Sequence, residues 1–550
     1  MCSPDPPELV SSRRASIVWI AVVWLSCALL HTVAFPPFDL PEAACLFAVT
    51  AALWCLRESA PRWKTYLWVT GSASFVSWLV LLEWLRALTE QAGPIALLAW
   101  IGLAAVVSAF PLAWYAALRW AVPRSRKLGG LQRCAVFLGL AGAWVVIEWI
   151  RSWFLTGFPW LPLAASQWER PVILQAAAYG GAWTVSFALV LFNLGLAAYL
   201  ERLYQHVKTR RSRHCPEFYL GLAALFAVSF ALYGDSVGQQ REELFKAGAM
   251  QPDIPQTVKW DPAKARGILD VLETETRRLA QLEPNAIFWP EAVTPLALLG
   301  TPAMQEWIEK LSSETGLPIV LGAVGFEERH PAEPGGPPLD TWLNGLFVVD
   351  PVTGLDAQDY YVKRHLVPFG EYVPMRRMLP FIGKFVPIEG DFIAGGDARP
   401  VTVRTEAGTT RVGGLICFED VFPGLARASV KEGAEVLFVA TNNGWFGEGG
   451  AAFQHAAHSV LRAVETRRPV MRAGNAGWSG WIDEFGVIRD VMLDEHGSIY
   501  HRGSAIFNVT RDRRWVGKES LYVRWGDWFV GVSGLLVIAG ICVARARRAP

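Results

Sequence analysis

Cys417 ends the apolar run Gly413-Gly414-Leu415-Ile416 and is followed at once by Phe418, Glu419 and Asp420, then by the turn Phe422-Pro423-Gly424. Of eight cysteines it is the one that lies in the long polar half of the chain. Cys2, Cys27, Cys45, Cys55, Cys134, Cys215 and Cys542 lie in or beside apolar segments. A thiol without a disulfide partner in its domain is either a small packed apolar group or a nucleophile. Two more reactive types stand at the ends of apolar runs: Glu291 after Ile287-Phe288-Trp289-Pro290, and Lys363 after Tyr360-Tyr361-Val362. The thiolate is the attacking form of cysteine, so a nucleophile needs a base for its proton and a donor for the oxyanion that follows. Glu291 can be that base and Lys363 that donor. An ammonium kept charged among apolar walls needs a carboxylate, and Glu371 is within reach along the chain. His365, two residues past Lys363, shares a strand face with it and leaves a Cys-His dyad open. His455 and His458 lie one helical turn apart, but no Asp, Glu or Cys cluster completes a ligand set, so no metal is expected.

Strand ends bring such groups together only if strands and helices alternate, and between Gly234 and Trp525 they do. Leu244–Met250, Ala286–Trp289, Pro318–Phe326, Leu343–Val349, Leu415–Cys417, Leu437–Ala440, Val470–Arg472, Gly480–Ile482 and Ser504–Asn508 read as strands. Ala265–Leu282 repeats apolar residues at helical spacing, and Ala303–Ser313, Gly424–Glu432 and Ala451–Thr466 read as further helices. Glu327–Leu339, rich in proline and glycine, reads as a loop. The expected class for this half is an α/β domain.

The other half reads as membrane. Hydrophobic residues make up 52% of 550, with 26 Trp, and the formal net charge is +1, which gives no sign of nucleic-acid binding. Eight apolar segments are expected to be transmembrane helices: Ser16–Phe35, Glu42–Leu56, Tyr66–Leu82, Ile95–Leu118, Cys134–Ile150, Val172–Leu200 and Phe218–Tyr233 before the polar region, and Trp528–Ala544 after it. Basic residues fill alternate connections, among them Arg57, Arg62 and Lys64, then Arg119 to Arg133, then Lys208 to Arg213. The loops around Pro36–Pro41 and Thr89–Pro94 carry almost none. The positive-inside rule then puts both termini in the cytoplasm and the polar domain on the far side. The expected divisions are a membrane domain over 1–233, a catalytic domain over 234–525 and a closing helix with a cytoplasmic tail over 526–550. Glu148 and the loop Thr156-Gly157-Phe158-Pro159-Trp160 suggest an entrance facing lipid.

Trp289-Pro290-Glu291, Lys363 leading into Pro368-Phe369-Gly370-Glu371, and Cys417-Phe418-Glu419 resemble the Glu-Lys-Cys triad of the nitrilase, or carbon–nitrogen hydrolase, superfamily. Arg462–Glu465 and Arg472–Gly480 agree with it. That resemblance implies a four-layer αββα sandwich. With the apolar half, and with Gln251-Pro252 to Lys259-Trp260, His365 to Pro374 and Asn442 to Gly447, the chain resembles the bacterial apolipoprotein N-acyltransferase family along nearly its whole length. The resemblance implies a multi-pass inner-membrane enzyme with a periplasmic catalytic domain. A phospholipid would donate an acyl chain to Cys417 as a thioester, and the α-amine of a diacylglyceryl-modified apolipoprotein would then accept it, in the last step of bacterial lipoprotein maturation. No cofactor is implied. Glu291, Lys363 and Cys417 match the triad, Glu371 and Glu419 match supporting acids, Trp260 and Trp445 match aromatics of mobile lids, and Asn344 matches a polar residue of the pocket. Phe418 stands where a Tyr is familiar. A membrane-anchored amidase hydrolysing a small amide would use the same triad, and a lipid receptor or transporter on the same fold is a further reading.

Overall fold

The computed structural model describes residues 17–57, 59–210, 212–231, 233–329, 339–356, 358–374 and 392–546. The chain divides into two compact units. One holds residues 1–83, 98–234 and 527–550; the other holds residues 84–97 and 235–526. The short segment Trp84–Leu97, which lies between apolar helices in the sequence, thus groups with the polar unit.

The first unit is helical. Among the described residues four helices are long and apolar enough to cross a membrane: Ile95–Ser125, Gly130–Arg151, Ala182–Thr209 and Trp528–Arg545. Trp63–Leu81 and Glu83–Ala92 meet the same standard only as a joined pair, and Ile17–Val33, Pro41–Leu56 and Pro216–Phe230 are shorter apolar helices. The expected count of eight full-length spans is therefore not reached by length alone. At 1.5 Å per residue these shorter helices fall below a hydrocarbon core of roughly 30 Å. Glu42–Leu56 breaks into a turn over Pro41–Cys45 and a helix over Val49–Leu56. The span expected over Val172–Leu200 starts only at Ala182, because Gly181 adopts φ 73° and interrupts the preceding turns; it then runs on to Thr209. Glu148 ends buried in the Gly130–Arg151 helix and accepts the Leu163 N–H at 2.7 Å, pinning the chain just past the Phe158-Pro159-Trp160 loop.

Among the described residues the second unit carries thirteen strands: β1 (Arg241–Gln251), β2 (Ala286–Trp289), β3 (Ile319–Arg329), β4 (Leu339–Asp350), β5 (Gly354–Leu355), β6 (Tyr361–Val362), β7 (Val401–Thr405), β8 (Gly408–Ile416), β9 (Val436–Thr441), β10 (Val470–Gly474), β11 (Gly480–Ile482), β12 (Ile488–Val491) and β13 (Gly503–Asp512). One sheet runs β13-β1-β2-β3-β4-β5, with β6 also on β4; the other runs β12-β11-β10-β9-β8-β7. Each has a parallel centre, β1-β2-β3 and β8-β9-β10, edged by antiparallel strands. Their facing sides share one core, with Phe288, Val320 and Leu346 from the first sheet against Val412, Phe438 and Met471 from the second. A second core lies between the first sheet and the helices Ala265–Ala280 and Pro302–Thr315, through Leu272, Ile308, Ile287 and Phe347. The helices Pro423–Lys431 and Gly450–Thr466 border the second sheet. The layers are thus helix, sheet, sheet, helix.

Two features differ from the sequence reading. Strands β3 and β4 reach Arg329 and Leu339, since their paired main chains continue into the stretch expected to be loop; the rest of it, 330–338, lies outside the described residues. Strands β7 and β12 are short, with two apolar residues each, and ladder pairing with β8 and β11 forms them.

Candidate active site

Parallel strands deliver their carboxyl ends to one side of a sheet, where side chains from separate segments converge. Glu291 follows β2, and Cys417 follows β8. Gly322 on β3 permits the first placement: a Cβ there would stand 2.7 Å from the Glu291 Cα and from the Pro290 carbonyl oxygen. Cys417 itself has φ 52°, the left-handed region that non-glycine residues seldom adopt. It begins a tight turn over Cys417–Val421 rather than ending the strand, so β8 stops at Ile416.

Four side chains form a ring in front of the thiol. Lys363 Nζ donates to Glu371 Oε1 at 2.9 Å and to Glu291 Oε1 at 3.3 Å. Asn344 Nδ2 donates to the same two oxygens, at 2.9 Å each. Glu371 Oε2 accepts the Val367 N–H at 2.8 Å. All four are buried, and Lys363 is 1% exposed. Burial alone would lower the Lys363 ammonium, but Glu371 and Glu291 more than reverse this and hold it above its ordinary range. Cys417 lies beside Glu291. Burial, then the Glu291 charge, pushes its thiol up to about 12, with Lys363 opposing. The resting nucleophile is therefore a neutral thiol, and attack requires a base beside it.

Glu419 lies elsewhere. Its carboxylate takes N–H bonds from Ile416, Arg364 and His365 at 2.7, 2.6 and 3.0 Å, and the Tyr361 hydroxyl at 2.7 Å. It thereby ties the segment after Lys363 to the strand before Cys417. Behind the nucleophile, Asp420 Oδ1 accepts from His455 Nε2 at 2.6 Å, and Asp420 Oδ2 from Ser459 and Arg472, each at 2.5 Å. His455 Nε2 also reaches the Cys417 carbonyl oxygen at 3.0 Å, while Asn443 Nδ2, a donor, faces Nδ1 at 3.2 Å. Burial would raise Asp420, but His455 and Arg472 hold it well below the usual carboxylate range. His455 thus serves the main chain of the nucleophile and not a metal pair with His458. The His365 ring packs on Phe422, with centroids 3.8 Å apart.

Trp260 is exposed at the end of the helical turn Gln256–Lys259, and Trp445 is half-buried in the turn Asn443–Phe446. The two turns are tied at their bases. Gln256 Nε2 donates to Asn442 Oδ1 at 3.1 Å, and Asn475 Nδ2 donates to that oxygen at 3.2 Å and to the Ile254 carbonyl at 2.8 Å. Trp84 packs edge-on against Phe446 at 4.6 Å and donates to Gln454 at 3.1 Å.

Residues 27–195 match the family described as apolipoprotein N-acyltransferase N-terminal domain, and residues 246–510 match carbon-nitrogen hydrolase. An apolipoprotein N-acyltransferase of Azotobacter vinelandii is 30% identical over 551 residues, covering 96% of this chain and 95% of its own. The chain belongs to the apolipoprotein N-acyltransferase family. A further apolipoprotein N-acyltransferase, from Geobacter metallireducens, is 29% identical over 523 residues, 94% of each chain. Among solved structures, an amidase from Nesterenkonia sp. aligns over 54% of this chain and 99% of its own, with 16% identity and a TM-score of 0.36.

Within this family member the structure brings Glu291, Lys363, Glu371, Asn344 and Cys417 together and sets Glu419 on the main chain beside them. Sequence reasoning missed the roles of Asp420, His455 and Arg472, which lie up to 52 residues apart. The one signal in the sequence was that Asp420 lies three residues after the nucleophile, in the same turn.

Proposed function

We propose that the chain transfers an acyl group from a phospholipid to the α-amine of an S-diacylglyceryl-cysteine at the N-terminus of an apolipoprotein, through a thioester on Cys417. The reading is carried by one observation: in a chain of this family, a buried thiol beside Glu291 faces an ammonium, Lys363, that is held charged by two carboxylates. Glu291 takes the Sγ proton as sulfur attacks the ester carbonyl carbon. The oxyanion that forms is met by Lys363 Nζ and by main-chain N–H at the Cys417 turn. The carbon–oxygen bond breaks, the leaving lysophospholipid oxygen takes the proton from Glu291, and the acyl chain stays on sulfur. In the second half Glu291 takes a proton from the incoming amine. Nitrogen attacks the thioester carbonyl, the carbon–sulfur bond breaks, and the thiolate recovers its proton from Glu291.

Trp260 and Trp445, on turns joined at Asn442, act as lids over the acyl chains. Eight apolar segments, four of full spanning length among the described residues, anchor the enzyme in the bacterial inner membrane. Alternation of basic loops supports cytoplasmic termini and a periplasmic catalytic domain between residues 234 and 525. Both substrates are lipid-anchored, which gives the anchor its purpose.

Intact-protein mass measurement after incubation with phosphatidylethanolamine tests this, with Cys417→Ala beside the wild type and a diacylglyceryl-cysteine peptide as chase. An acyl adduct on the wild type alone, discharged onto the peptide amine, is the expected result. A folded wild type that gives neither adduct nor acylated peptide, but releases ammonia from small amides, would establish the amidase reading instead.

A further inference from the structure

Lys259 closes the helical turn Gln256–Lys259, and only 2% of it is exposed. Its Nζ reaches the main-chain carbonyl of Glu291 at 3.5 Å, the outer limit of a hydrogen bond, and lies 5.5 Å from the centre of the Trp260 ring. An ammonium has three donors. This one is buried with most of that capacity unused by the described groups. Burial pushes it down to about 8, and the nearby Glu291 and Cys417 resist the fall. A buried cation persists only where negative charge faces it.

The charges about Cys417 explain why one is needed. In front stand two carboxylates, Glu291 and Glu371, and one ammonium, Lys363. Arg472 on β10 also acts on Cys417, but Asp420 meets it at 2.5 Å and shares its other oxygen with His455. The front is therefore one negative charge in excess until Lys259 is included. Moving the thiol proton to Glu291 does not change that total. It moves negative charge onto sulfur, and attack moves it on to the carbonyl oxygen.

We propose that Lys259 is a positioning residue for acyl transfer: its ammonium is the second positive charge at Cys417 and Glu291, and it sets the pH at which the thiol proton is passed on. The inference rests on Cys417 as the nucleophile. Lys259 acts through Glu291 and Cys417 and needs no contact with the lipid.

The test uses the full-length protein in detergent with phosphatidylethanolamine micelles, and follows the rate of thioester formation by intact mass from about pH 5.5 to about pH 9. Removing a positive charge raises the pKa of both a carboxyl and a thiol. Lys259→Met should therefore move the acidic limb of the profile upward by about one unit. Below that limb the rate falls about tenfold, and most of the loss returns as the pH rises. Lys259→Arg, which keeps the charge, should leave the limb in place, and neither variant should change KM for the phospholipid. A limb at the wild-type position in Lys259→Met, or one displaced equally in Lys259→Arg, with melting temperatures unchanged, would overturn the proposal. Absence of any adduct on the wild type would instead remove the acyl-transfer reading on which it stands.

Discussion

Two polar clusters flank Cys417, and they are built to opposite rules. Behind it, one carboxylate, Asp420, has both oxygens occupied by Arg472, Ser459 and His455, and His455 ties the cluster to the carbonyl oxygen of the nucleophile. In front, two carboxylates share one close ammonium and one amide, and a neutral thiol faces the surplus. Asn344 Oδ1 is left there without a hydrogen-bond partner among the described groups. The rear cluster holds a left-handed main chain at φ 52° where a relaxed loop would let it go. The front cluster keeps charge available for the reaction. Rigidity and reactivity are thus placed on two sides of one residue.

The largest effect should come from taking the cation out of the front. Lys363→Met leaves Glu291 and Glu371 buried side by side, so thioester formation should fall by about a thousandfold or more. The fold should lose about 3–5 kcal/mol, read as a lower melting temperature in detergent. Because the Lys363 ammonium is held above its ordinary range, its stabilising share is complete below that range and is lost only at strongly alkaline pH. Wild-type melting should accordingly show no loss from this pair across the neutral range.

Asp420→Asn probes the rear. Asp420 is held below the usual carboxylate range, so its contribution is present above that range and disappears as the pH falls through the lower folded value. The gap in melting temperature between wild type and variant should be widest near neutrality, about 2–4 kcal/mol in stability, and should close in acid. The folded variant should keep thioester formation within about tenfold of wild type, since it acts only on position. A loss as large as that of Lys363→Met would erase the distinction between the two clusters.

Asn344→Leu keeps the front cation but removes the amide shared by the two carboxylates. It should lower kcat by about ten- to a hundredfold with KM unchanged, as steady-state transfer to the peptide would reveal. The smallest effect belongs to the exposed rim. Trp260→Ala should raise KM for phospholipid by about three- to tenfold, while thioester formation from a short water-soluble ester stays as in wild type. Slowing with both donors would place Trp260 in the chemistry and not in the lid.

Much of this arrangement was legible in the residues. Ala286–Trp289 and Gly480–Ile482 have the boundaries their residues suggest, because short apolar runs stopped at once by Pro290 or by the acids Asp483 and Glu484 have little choice of structure. Glu291, Lys363 and Cys417 stood out because each reactive type ended such a run. The rear cluster was not legible, since Asp420, His455 and Arg472 belong to three separate segments, and His455 invited comparison with its helical neighbour His458 rather than with Asp420. Lys259 passed as part of a matching stretch, because a lysine in sequence does not reveal that folding will leave it 2% exposed.

Local apolar periodicity determined by itself that one half of the chain is helical and membrane-like, that the other alternates strands with helices, and that a thiol, a carboxylate and an ammonium fall at strand ends. Such patterns depend on neighbours a few residues away, which sequence records directly. Tertiary structure alone decided how those strand ends converge, that Cys417 turns left-handed out of β8, and that Glu419 serves main-chain N–H groups while Glu371 serves the ammonium. It also decided which apolar stretches became helices of full spanning length. These outcomes depend on contacts between residues tens to hundreds of positions apart, where burial and charge pairing act only after the layers have closed.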